Sequence, residues 1–324
     1  MRADPGGRPR PTVEVVTCAA VPPVGASFPP TPQPDRAQVV VVPPGEGSGY
    51  WAGAPSAVRA GSDIYLAYRL RRPVGDGRGY AIVIARSADG VELETIDVLE
   101  KDHIGAESLE RPGLVQLPDG GWRLYVSGAT PGTLHWWVDA IDAPDPSGFS
   151  SSGRRRPTLP GDAVTAMKDP VVSWDGEQWH LWVCCHPLPD PAEADRMVTR
   201  YATSRDGIGW DWHGVALEGR PGRWDQRGTR ITSVLHHGTS SFAYYDGRAS
   251  AAENWDERTG IAVGDGSGHF QAYGAEPVGA GQDGSGALRY VSAVPLNGEG
   301  HRLYYEASRP DGAHDLRTEL VPAR

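Results

Sequence analysis

The sequence predicts an all-β protein, and more specifically a five-bladed β-propeller with four antiparallel strands in each blade. Short aromatic or β-branched runs recur along the whole chain, Asp-Gly and Asn-Gly turns separate them, and long runs with apolar residues at helical spacing are absent. The composition agrees, since 42 Gly and 29 Pro accompany 11 Trp and 12 Tyr. Such a composition is typical of strands joined by tight turns.

One segment shape, a small-and-aliphatic strand, a tight polar turn and an aromatic alternating strand, occurs five times. The segments are PSAVRAGSDIYLAYR (55–69), PGLVQLPDGGWRLYVSG (112–128), PVVSWDGEQWHLWVCC (170–185), ITSVLHHGTSSFAYYDG (231–247) and VSAVPLNGEGHRLYYEAS (291–308). With Leu66, Leu124, Leu181, Ala243 and Leu303 taken as equivalent, successive spacings are 58, 57, 62 and 60 residues. This period predicts radial repetition of a four-stranded sheet, which protects strand edges without helices.

The remaining strands and the chain ends fit the same plan. Further strand candidates lie at 79–94, 135–141, 197–212 and 258–273. Because the last repeat ends after a single further strand, we expect a strand at 37–42 to complete the last blade. Residues 1–35 are predicted to form a Pro/Gly-rich arm, and 36–324 a single propeller domain. A two-sheet sandwich with accidental repetition is the alternative, which the regular period disfavours.

Composition also excludes classes of partner. An excess of 41 acidic over 31 basic residues gives a net charge of −10, the wrong sign for a protein that neutralises phosphate backbones, so no nucleic-acid partner is expected. No apolar run is long enough for a membrane span, and the first residues lack the apolar stretch of a secretory signal, which predicts a cytoplasmic protein without a membrane partner. Cys18, Cys184 and Cys185 offer neither a disulfide framework nor metal-ligand spacing. No cofactor or metal is expected.

Functional side chains are expected on the face with the long loops. The connections between the first and second strands of each repeat are minimal turns, whereas those between the second and third strands are long and polar. The same face receives the starts of the innermost strands. The side chains predicted to converge there are Trp51, Glu107, Glu110, Arg111, Lys168, Asp169, Arg230, Arg289 and Tyr290, with His186 from a long loop.

With these residues in place, the chain resembles the five-bladed propeller clan of glycoside hydrolase families 43 and 32, which includes arabinanases, levansucrases and invertases. The resemblance covers about residues 45–322. It rests on the blade period, on Ser-x-Asp-Gly turns at 87–90 and 204–207, and on Asp169-Pro170 at the opening of an inner strand. It implies a fold more specifically than an activity.

The resemblance also implies three acidic positions. The family carries an Asp before Pro in the first blade as base or nucleophile, an orienting Asp in the third blade and a Glu in the fourth as acid. Asp169 matches the orienting residue. The first position reads Gly53-Ala54-Pro55 and the fourth lies near Arg230, so both expected proton carriers are missing.

Hydrolysis of a glycosidic bond ordinarily needs two carboxyl groups, roughly 5 to 9.5 Å apart. Glu107 and Glu110, on the blade next to Asp169, are the nearest other candidates. Side chains alternate along an extended segment, so both cannot point the same way, and Glu110 is favoured.

Cations are the second departure from the family. The chain contains two lysines, Lys101 and Lys168, and the other basic residues are arginines. Alignment of the repeats places Arg111, Lys168 and Arg230 at one depth, with Arg289 one residue earlier. A ring of positive side chains needs negative groups nearby to offset their mutual repulsion. Either Glu110 and Asp169 supply that charge, or the ring binds an anionic substrate, for which the Arg guanidinium offers two parallel hydrogen bonds.

Several candidates have structural alternatives. Trp51 is either a platform on which a sugar stacks or a wedge between blades, and His186 is either a ligand contact or a loop histidine bonded to the backbone. Arg111 and Asp169 are either substrate contacts or an ion pair that joins two blades.

The sequence therefore supports three functions. The leading hypothesis is a glycoside hydrolase-like enzyme acting on a carbohydrate or sugar-like small molecule or oligosaccharide, neutral or anionic, with Asp169, Glu110 and Glu107 as catalytic candidates. The second is a noncatalytic propeller that binds a carbohydrate or an anionic ligand. The third is a lyase or cyclase in which Lys168 serves as a base.

Overall fold

The structure, a computed structural model, describes residues 28–237 and 240–322. In chain order its strands are β1 (Gln38–Val41), β2 (Trp51–Ala60), β3 (Asp63–Arg71), β4 (Gly79–Ser87), β5 (Glu94–Glu100), β6 (Gly113–Gln116), β7 (Trp122–Ala129), β8 (Trp136–Ala143), β9 (Arg154–Leu159), β10 (Thr165–Trp174), β11 (Trp179–Pro187), β12 (Val198–Ser204), β13 (Asp211–Leu217), β14 (Gly228–His237), β15 (Ser240–Arg248), β16 (Arg258–Gly264), β17 (Phe270–Tyr273), β18 (Leu288–Leu296), β19 (Gly300–Ser308) and β20 (His314–Val321). The helical elements in this part of the chain are α1 (Lys101–Ile104), α2 (Phe149–Ser152) and 3₁₀ turns at Pro34–Arg36, Val74–Asp76 and Ala251–Glu253.

The strands pair with their sequence neighbours into antiparallel sheets, as predicted. Three four-stranded sheets have the orders β6-β7-β8-β9, β10-β11-β12-β13 and β14-β15-β16-β17. A larger sheet has the order β18-β19-β20-β2-β3-β4-β5, but β20 meets β2 only through the pair Trp51 and His314. This sheet therefore consists of two units whose strands are paired with each other at one residue pair.

The first strands of the units lie side by side around a common centre. Contacts run from β2 to β6, from β6 to β10, from β10 to β14, from β14 to β18, and from β18 back to β2. We call these five strands the inner strands and the space between them the hub. The arrangement is a β-propeller, in which residues distant in sequence meet at the hub.

Apolar side chains fill the spaces between neighbouring units. On β3, Leu66 packs with Tyr304 and Leu316 of the last unit, whereas the next residue, Ala67, packs with Leu114 of the following unit. Successive side chains point to opposite faces of a sheet, so a strand covered on both faces is apolar throughout. This explains why the aromatic strands of the repeats, predicted to alternate, instead carry apolar residues at successive positions in their middle, as at Tyr65-Leu66-Ala67-Tyr68.

The Ser-x-Asp-Gly turns connect one unit to the next. The Gly90 N–H donates to Ser87 Oγ at 2.9 Å, and the Tyr304 hydroxyl donates to the Gly90 carbonyl at 2.8 Å. The turn at 204–207 is held in the same way, with Tyr125 as the donor from the neighbouring unit. Gly90 has φ 80°, a conformation that favours glycine.

The N-terminal strand completes the last unit, as the sequence predicts. β1 pairs antiparallel with β20, with Gln38 opposite Thr318. Of the predicted arm 1–35, residues 1–27 and with them Cys18 lie outside the described residues. Phe28, the first described residue, packs against Phe242 with ring centroids 5.5 Å apart.

Among the described residues no helix has the length and apolar character that a membrane crossing needs. Cys184 and Cys185 are buried free thiols.

Candidate functional site

Three of the inner strands, β2, β10 and β18, share a distortion near the hub. Strand pairing is interrupted between Gly53 and Ser56, between Lys168 and Val171 and between Arg289 and Ser292. Inside these interruptions Ala54, Asp169 and Tyr290 have φ values of 52°, 58° and 58°. Positive φ in non-glycine residues costs of order 1–3 kcal/mol each and is concentrated at functional sites. These three inner strands are therefore irregular at the place where the sequence predicts the site.

Pairing defines which residues lie at equivalent positions in the hub. We call the inner-strand positions the inner row and the residues opposite them the second row. The inner row is Gly53, Glu110, Lys168, Arg230 and Arg289, and the second row is Arg69, Ser127, Cys184, Asp246 and Glu306.

This register corrects the predicted depth of Arg111. The Glu110 N–H donates to the Ser127 carbonyl, so Glu110 and not Arg111 is level with Lys168. The reason is the hairpin turn: five residues, 117–121, separate the strands of the second unit, whereas four, 175–178, separate those of the third. An alignment on the aromatic strands therefore shifts the second unit by one residue. It shifts the fifth unit in the same way, because Arg289 pairs with Glu306 and is level with Lys168, not one residue earlier as predicted.

Arg111 points away from the other candidates. Its guanidinium donates to the backbone carbonyls of Pro55, Pro170 and Thr232 at 3.1, 2.8 and 2.7 Å. These carbonyls belong to three inner strands, and the side chain is 2% exposed. The side chain thus ties three units together, and the ligand contact predicted for it is not supported. The predicted Arg111–Asp169 link exists through the backbone, since the Arg111 N–H donates to Asp169 Oδ1 at 3.1 Å.

Glu107 is also displaced from the predicted site. Its side chain is exposed, whereas Glu110 is 4% exposed and faces the hub. Side chains alternate along this extended segment, which separates Glu107 from Glu110, as predicted for the pair.

Glu110 starts a chain of buried ion pairs around the hub. It pairs with Arg69 and, at 3.3 Å, with Arg71. Arg69 also pairs at 3.0 Å with Glu306, which in turn pairs at 2.7 Å with Arg289. Burial disfavours ionisation of Glu110, but Arg69, Lys168 and Arg71 outweigh it and hold its pKa below the usual value.

The chain of ion pairs continues through the loop between β15 and β16. Arg289 Nη1 lies 2.7 Å from Oε2 of Glu257, whose other oxygen pairs with Arg248. Glu257 is buried, which raises its pKa, but Arg289 and Arg248 more than compensate and lower it overall.

A second group of ion pairs surrounds Asp169. Lys168 Nζ lies 3.1 Å and Arg230 Nη1 3.0 Å from Asp169 Oδ2. Against the effect of burial, these two cations lower the pKa of Asp169 to about 2. Arg230 also binds Asp246, with Nη2 at 2.6 Å. Burial and nearby Glu257 nevertheless raise the pKa of Asp246 to about 6.

Trp51 and Tyr290 line the hub with their rings already in contact with protein groups. His314 stacks on Trp51 at 4.9 Å, and the guanidinium carbon of Arg71 lies 4.2 Å from its ring centroid. Trp51 is 2% exposed. This burial agrees with the alternative of a wedge between blades better than with an open platform for a sugar. The Arg230 guanidinium lies 3.8 Å from the Tyr290 ring.

A small cavity lies at the loop-face end of the hub, and we call it the axial cavity. Its charged lining residues are Arg69, Arg71, Lys168, Arg230, Arg248, Arg289, Glu110 and Glu257. Its volume is about 40 Å³, room for roughly three water molecules. Trp255, 40% exposed, contacts Trp51 edge-on at 5.5 Å at this end of the hub.

A larger groove adjoins the axial cavity. His186 and Met197 line both spaces, and the groove continues past Val164, Pro187 and Arg227. Its volume is about 450 Å³. Burial, followed by Lys168, lowers the pKa of His186 to about 3, so its imidazole is neutral at pH 7. Its Nδ1 lies 3.2 Å from the Ala194 carbonyl, which is the backbone bond given as the alternative for this residue, and its Nε2 lies 3.4 Å from Cys184 Sγ. We call this space the side groove.

The sequence reasoning did not find several hub residues, of which Arg69, Arg71 and Glu306 are the main ones. A signal was available: each second-row residue follows the repeat's reference residue by three positions, as Arg69 follows Leu66 and Glu306 follows Leu303. Charged residues inside otherwise apolar strands are rarely buried without partners. Because these charged residues occupy equivalent positions in the repeats, their positions predict that they face the hub.

The carboxylates of the hub restrict the chemistry. Asp169 and Glu110 each contact two cations and stay ionised at neutral pH, so neither is a proton donor there. Asp246 is the hub carboxyl whose pKa lies nearest neutrality, but it is fully buried. In the described part of the chain, no group of three His, Cys, Asp or Glu side chains is placed to hold a metal ion.

Comparison with known proteins identifies the fold. No protein-family profile and no curated sequence matches the chain. Among solved structures, a thermostable family-43 glycoside hydrolase superposes with a TM-score of 0.65 at 12% identity over 84% of this chain and 90% of the other. An α-L-arabinofuranosidase from Lactobacillus brevis gives 0.64 at 16% identity, over 83% and 90%. A β-1,2-mannobiose phosphorylase from Listeria innocua gives 0.59 at 13%, over 86% and 92%.

At these identities the likeness shows the fold. The chain has the propeller fold of family 43 and related glycosidases, and the resemblance stated from the sequence is confirmed in that respect.

Proposed function

We propose that this protein is a five-bladed propeller of the glycosidase type that acts on a carbohydrate or sugar-like small molecule at the loop-face end of its hub. The observation that carries the proposal is that the axial cavity and the side groove lie next to each other, with His186 and Met197 lining both. The fold is one on which glycoside hydrolases and a phosphorylase are built.

Five blades are proposed from the sheet units and their contacts. The four-stranded units beginning with β2, β6, β10 and β14 and the unit formed by β18–β20 with β1 account for every described strand. Their inner strands contact one another in a ring. The proposed domain therefore spans about residues 36–324, as the sequence predicts.

The sizes of the two spaces suggest how a ligand is divided between them. The axial cavity, about 40 Å³, holds a group of a few atoms, whereas the side groove, about 450 Å³, holds a larger one. Val164, Met197 and Pro187 give the groove apolar surface, and Arg227 gives it a polar edge. Sites of this mixed character bind small organic ligands. We assign the sugar-like part of the ligand to the side groove.

The proposed reaction does not use the acid and base pair of ordinary hydrolysis. Ala54 occupies the position level with Asp169 in the first unit, and Glu110 is held as an anion by Arg69 and Arg71. We propose that Lys168, which has Asp169 as its ion-pair partner, contacts the reacting group, and that Asp169 orients Lys168. Glu110 then positions the surrounding arginines.

A noncatalytic binding propeller is the second candidate. It is favoured by the complete ion pairing of the hub carboxylates and by Ala54 at the first acidic position. In that case the ligand binds at the same place without turnover.

One screen tests the two candidates together. The parent is incubated with aryl glycosides and aryl uronides, with and without inorganic phosphate, while melting shifts are measured with the matching free sugars. Lys168→Met removes the cation proposed to contact the reacting group. Arg86→Gln is the matched control because Arg86 is half exposed and pairs with Asp63 at the start of β3, the end of the strand away from the hub residues Arg69 and Arg71.

The enzyme proposal expects product release by the parent and by Arg86→Gln, and a loss of at least about 100-fold in Lys168→Met. Saturable ligand binding without product supports the binding module. Failure of every sugar to bind or react with the folded parent contradicts both.

A further inference from the structure

Buried nitrogen atoms without a hydrogen-bond partner gather at the axial cavity. Of the eight such nitrogens in the described residues, four belong to side chains that line this cavity: Trp51 Nε1, Arg69 Nε, Arg71 Nε and Arg248 Nε. The four side chains are 1–2% exposed, and all of them line the cavity. Buried N–H groups are nearly always paired, so four unpaired donors around one small space indicate a place for an acceptor.

The cations of the cavity are unequally neutralised. Arg69, Arg230, Arg248 and Arg289 each lie between two carboxylates. Arg71, by contrast, has one carboxylate partner among the described residues, Glu110 at 3.3 Å. Burial and then neighbouring cations, with Glu110 opposing them, lower the pKa of Arg71 to about 10. Positive charge is therefore incompletely compensated at Arg71.

The surroundings of Arg71 keep this charge in place. Its guanidinium carbon lies 4.2 Å from the ring centroid of Trp51 and 5.1 Å from that of Trp255. Two indole rings restrict the side chain without supplying a negative charge. The guanidinium is thus oriented before any ligand arrives, which lowers the entropy cost of binding.

The size of the cavity selects the kind of acceptor. Room for roughly three water molecules is too small for a sugar ring but suits a group of one central atom and two to four oxygens. Guanidinium groups bind the oxygens of such a group in pairs.

From these observations we propose that the axial cavity binds an oxyanion, a phosphate, sulfate or carboxylate group, through Arg71 and Arg248, with the indole N–H of Trp51 as a further donor. The proposal depends on the proposed function in one respect: when the oxyanion is part of a sugar-like ligand, the rest of that ligand lies in the side groove. The oxyanion is either part of the sugar-like ligand or a separate inorganic ion, and its contacts in the cavity are the same in both cases.

The test is isothermal titration calorimetry in a low-chloride buffer. The titrants are inorganic phosphate, sulfate, a hexose phosphate, a hexuronate and the matching neutral hexose. Arg71→Gln removes the charge and leaves Glu110 paired with Arg69, while Arg248→Gln leaves Glu257 paired with Arg289. Arg71→Lys keeps the positive charge but loses the planar guanidinium that binds two oxygens at once, and Arg86→Gln is the control. Circular dichroism confirms that each variant is folded.

The expected result is saturable binding of at least one anion to the parent. Affinity should fall about tenfold or more in Arg71→Gln and Arg248→Gln, fall less in Arg71→Lys, and stay unchanged in Arg86→Gln. Tight binding of inorganic phosphate assigns the site to a separate ion, and binding of only the sugar-linked anions assigns it to the ligand itself.

Two results overturn the proposal. One is a neutral hexose that binds as tightly as its uronate, with no effect of Arg71→Gln; the proposed function then stands and the oxyanion site does not. The other is the absence of saturable anion binding to the folded parent. Anion binding without binding or turnover of any sugar would instead sustain the oxyanion site and count against the proposed function.

Discussion

Arg230 Nη1 lies 3.0 Å from Oδ2 of Asp169, a residue 61 positions earlier in the chain. The contact joins inner strands β14 and β10 and is fully buried. It shows how the hub is built: side chains from different repeats neutralise one another where a single repeat could not. The ion pairs of the hub are therefore both a structural element and the wall of the candidate site.

Asp169→Asn should lower the free energy of unfolding by about 3 kcal/mol at pH 7. The substitution keeps the shape but removes the negative charge beside Arg230 and Lys168, and breaking a buried pair leaves uncompensated charge. Urea denaturation followed by tryptophan fluorescence measures the loss. Asp63→Asn, at the exposed pair with Arg86, should cost no more than about 1 kcal/mol. Equal effects of the two substitutions would contradict the structural role of Asp169.

The same carboxylate should make stability depend on pH in acid. The pKa of Asp169 is lowered from 3.8 to about 2 in the folded protein, so the folded state binds fewer protons than the unfolded state between these values. Its contribution is complete above pH 4 and is lost as the pH falls through 2. The difference in unfolding free energy between the parent and Asp169→Asn should shrink by about 2 kcal/mol across this range. A constant difference would show that Asp169 is not ionised there.

Arg111→Met should destabilise the protein by about 3 kcal/mol without weakening anion binding. The substitution removes the donor shared by the Pro55, Pro170 and Thr232 carbonyls, and each lost bond to a charged group costs about 1.5–3 kcal/mol before relaxation. Denaturation and calorimetry on one preparation separate the two effects. Weaker anion binding with an unchanged free energy of unfolding would show that Arg111 contacts the ligand instead.

The repeats explain why the fold was predictable and the register was not. Turn residues and aromatic strands recur with a regular period, so local sequence was enough to predict the units and the pairing of 37–42 with the last one. The depth of Arg111 depends on one extra residue in the turn 117–121, which changes no composition or periodicity. Only pairing across the sheet reveals it.

The placement of residues at the hub was predicted in part for a similar reason. Glu110, Lys168, Arg230 and Arg289 stand at the starts of inner strands, where the topology alone leads to the hub. Arg71 lies at the end of β3 and reaches the cavity because Trp51 and Trp255 hold it there. That contact joins residues from distant parts of the chain, so a pass along one sequence does not show it.

Anion affinity should rise as the pH falls through about 6. Burial raises the pKa of Asp246 to about 6, against the opposing effect of Arg230, and nearby Glu257 adds to the rise. Protonation of Asp246 removes one negative charge behind Arg230, so the cavity becomes more positive. Calorimetric titrations between pH 5 and 8 should show this change in the parent, and Asp246→Asn should abolish it. A pH dependence that survives in Asp246→Asn would assign it to another group.

Asp246 should also affect stability, in the opposite direction to Asp169. Its pKa is raised in the folded protein, so the proton-linked stabilisation is complete below pH 3.8 and is lost as the pH rises through 6. Unfolding measured from pH 4 to 7 should show a smaller decrease in Asp246→Asn than in the parent.

The most direct test of the central claim, that remote residues form one ligand site at the hub, is a crystal structure of the protein grown with phosphate or a hexuronate. The account predicts an oxyanion in the axial cavity within hydrogen-bond distance of Arg71 and Arg248, with any sugar ring in the side groove beside His186 and Met197. Density for the ligand elsewhere on the propeller, with only water between Arg71 and Arg248, would contradict it.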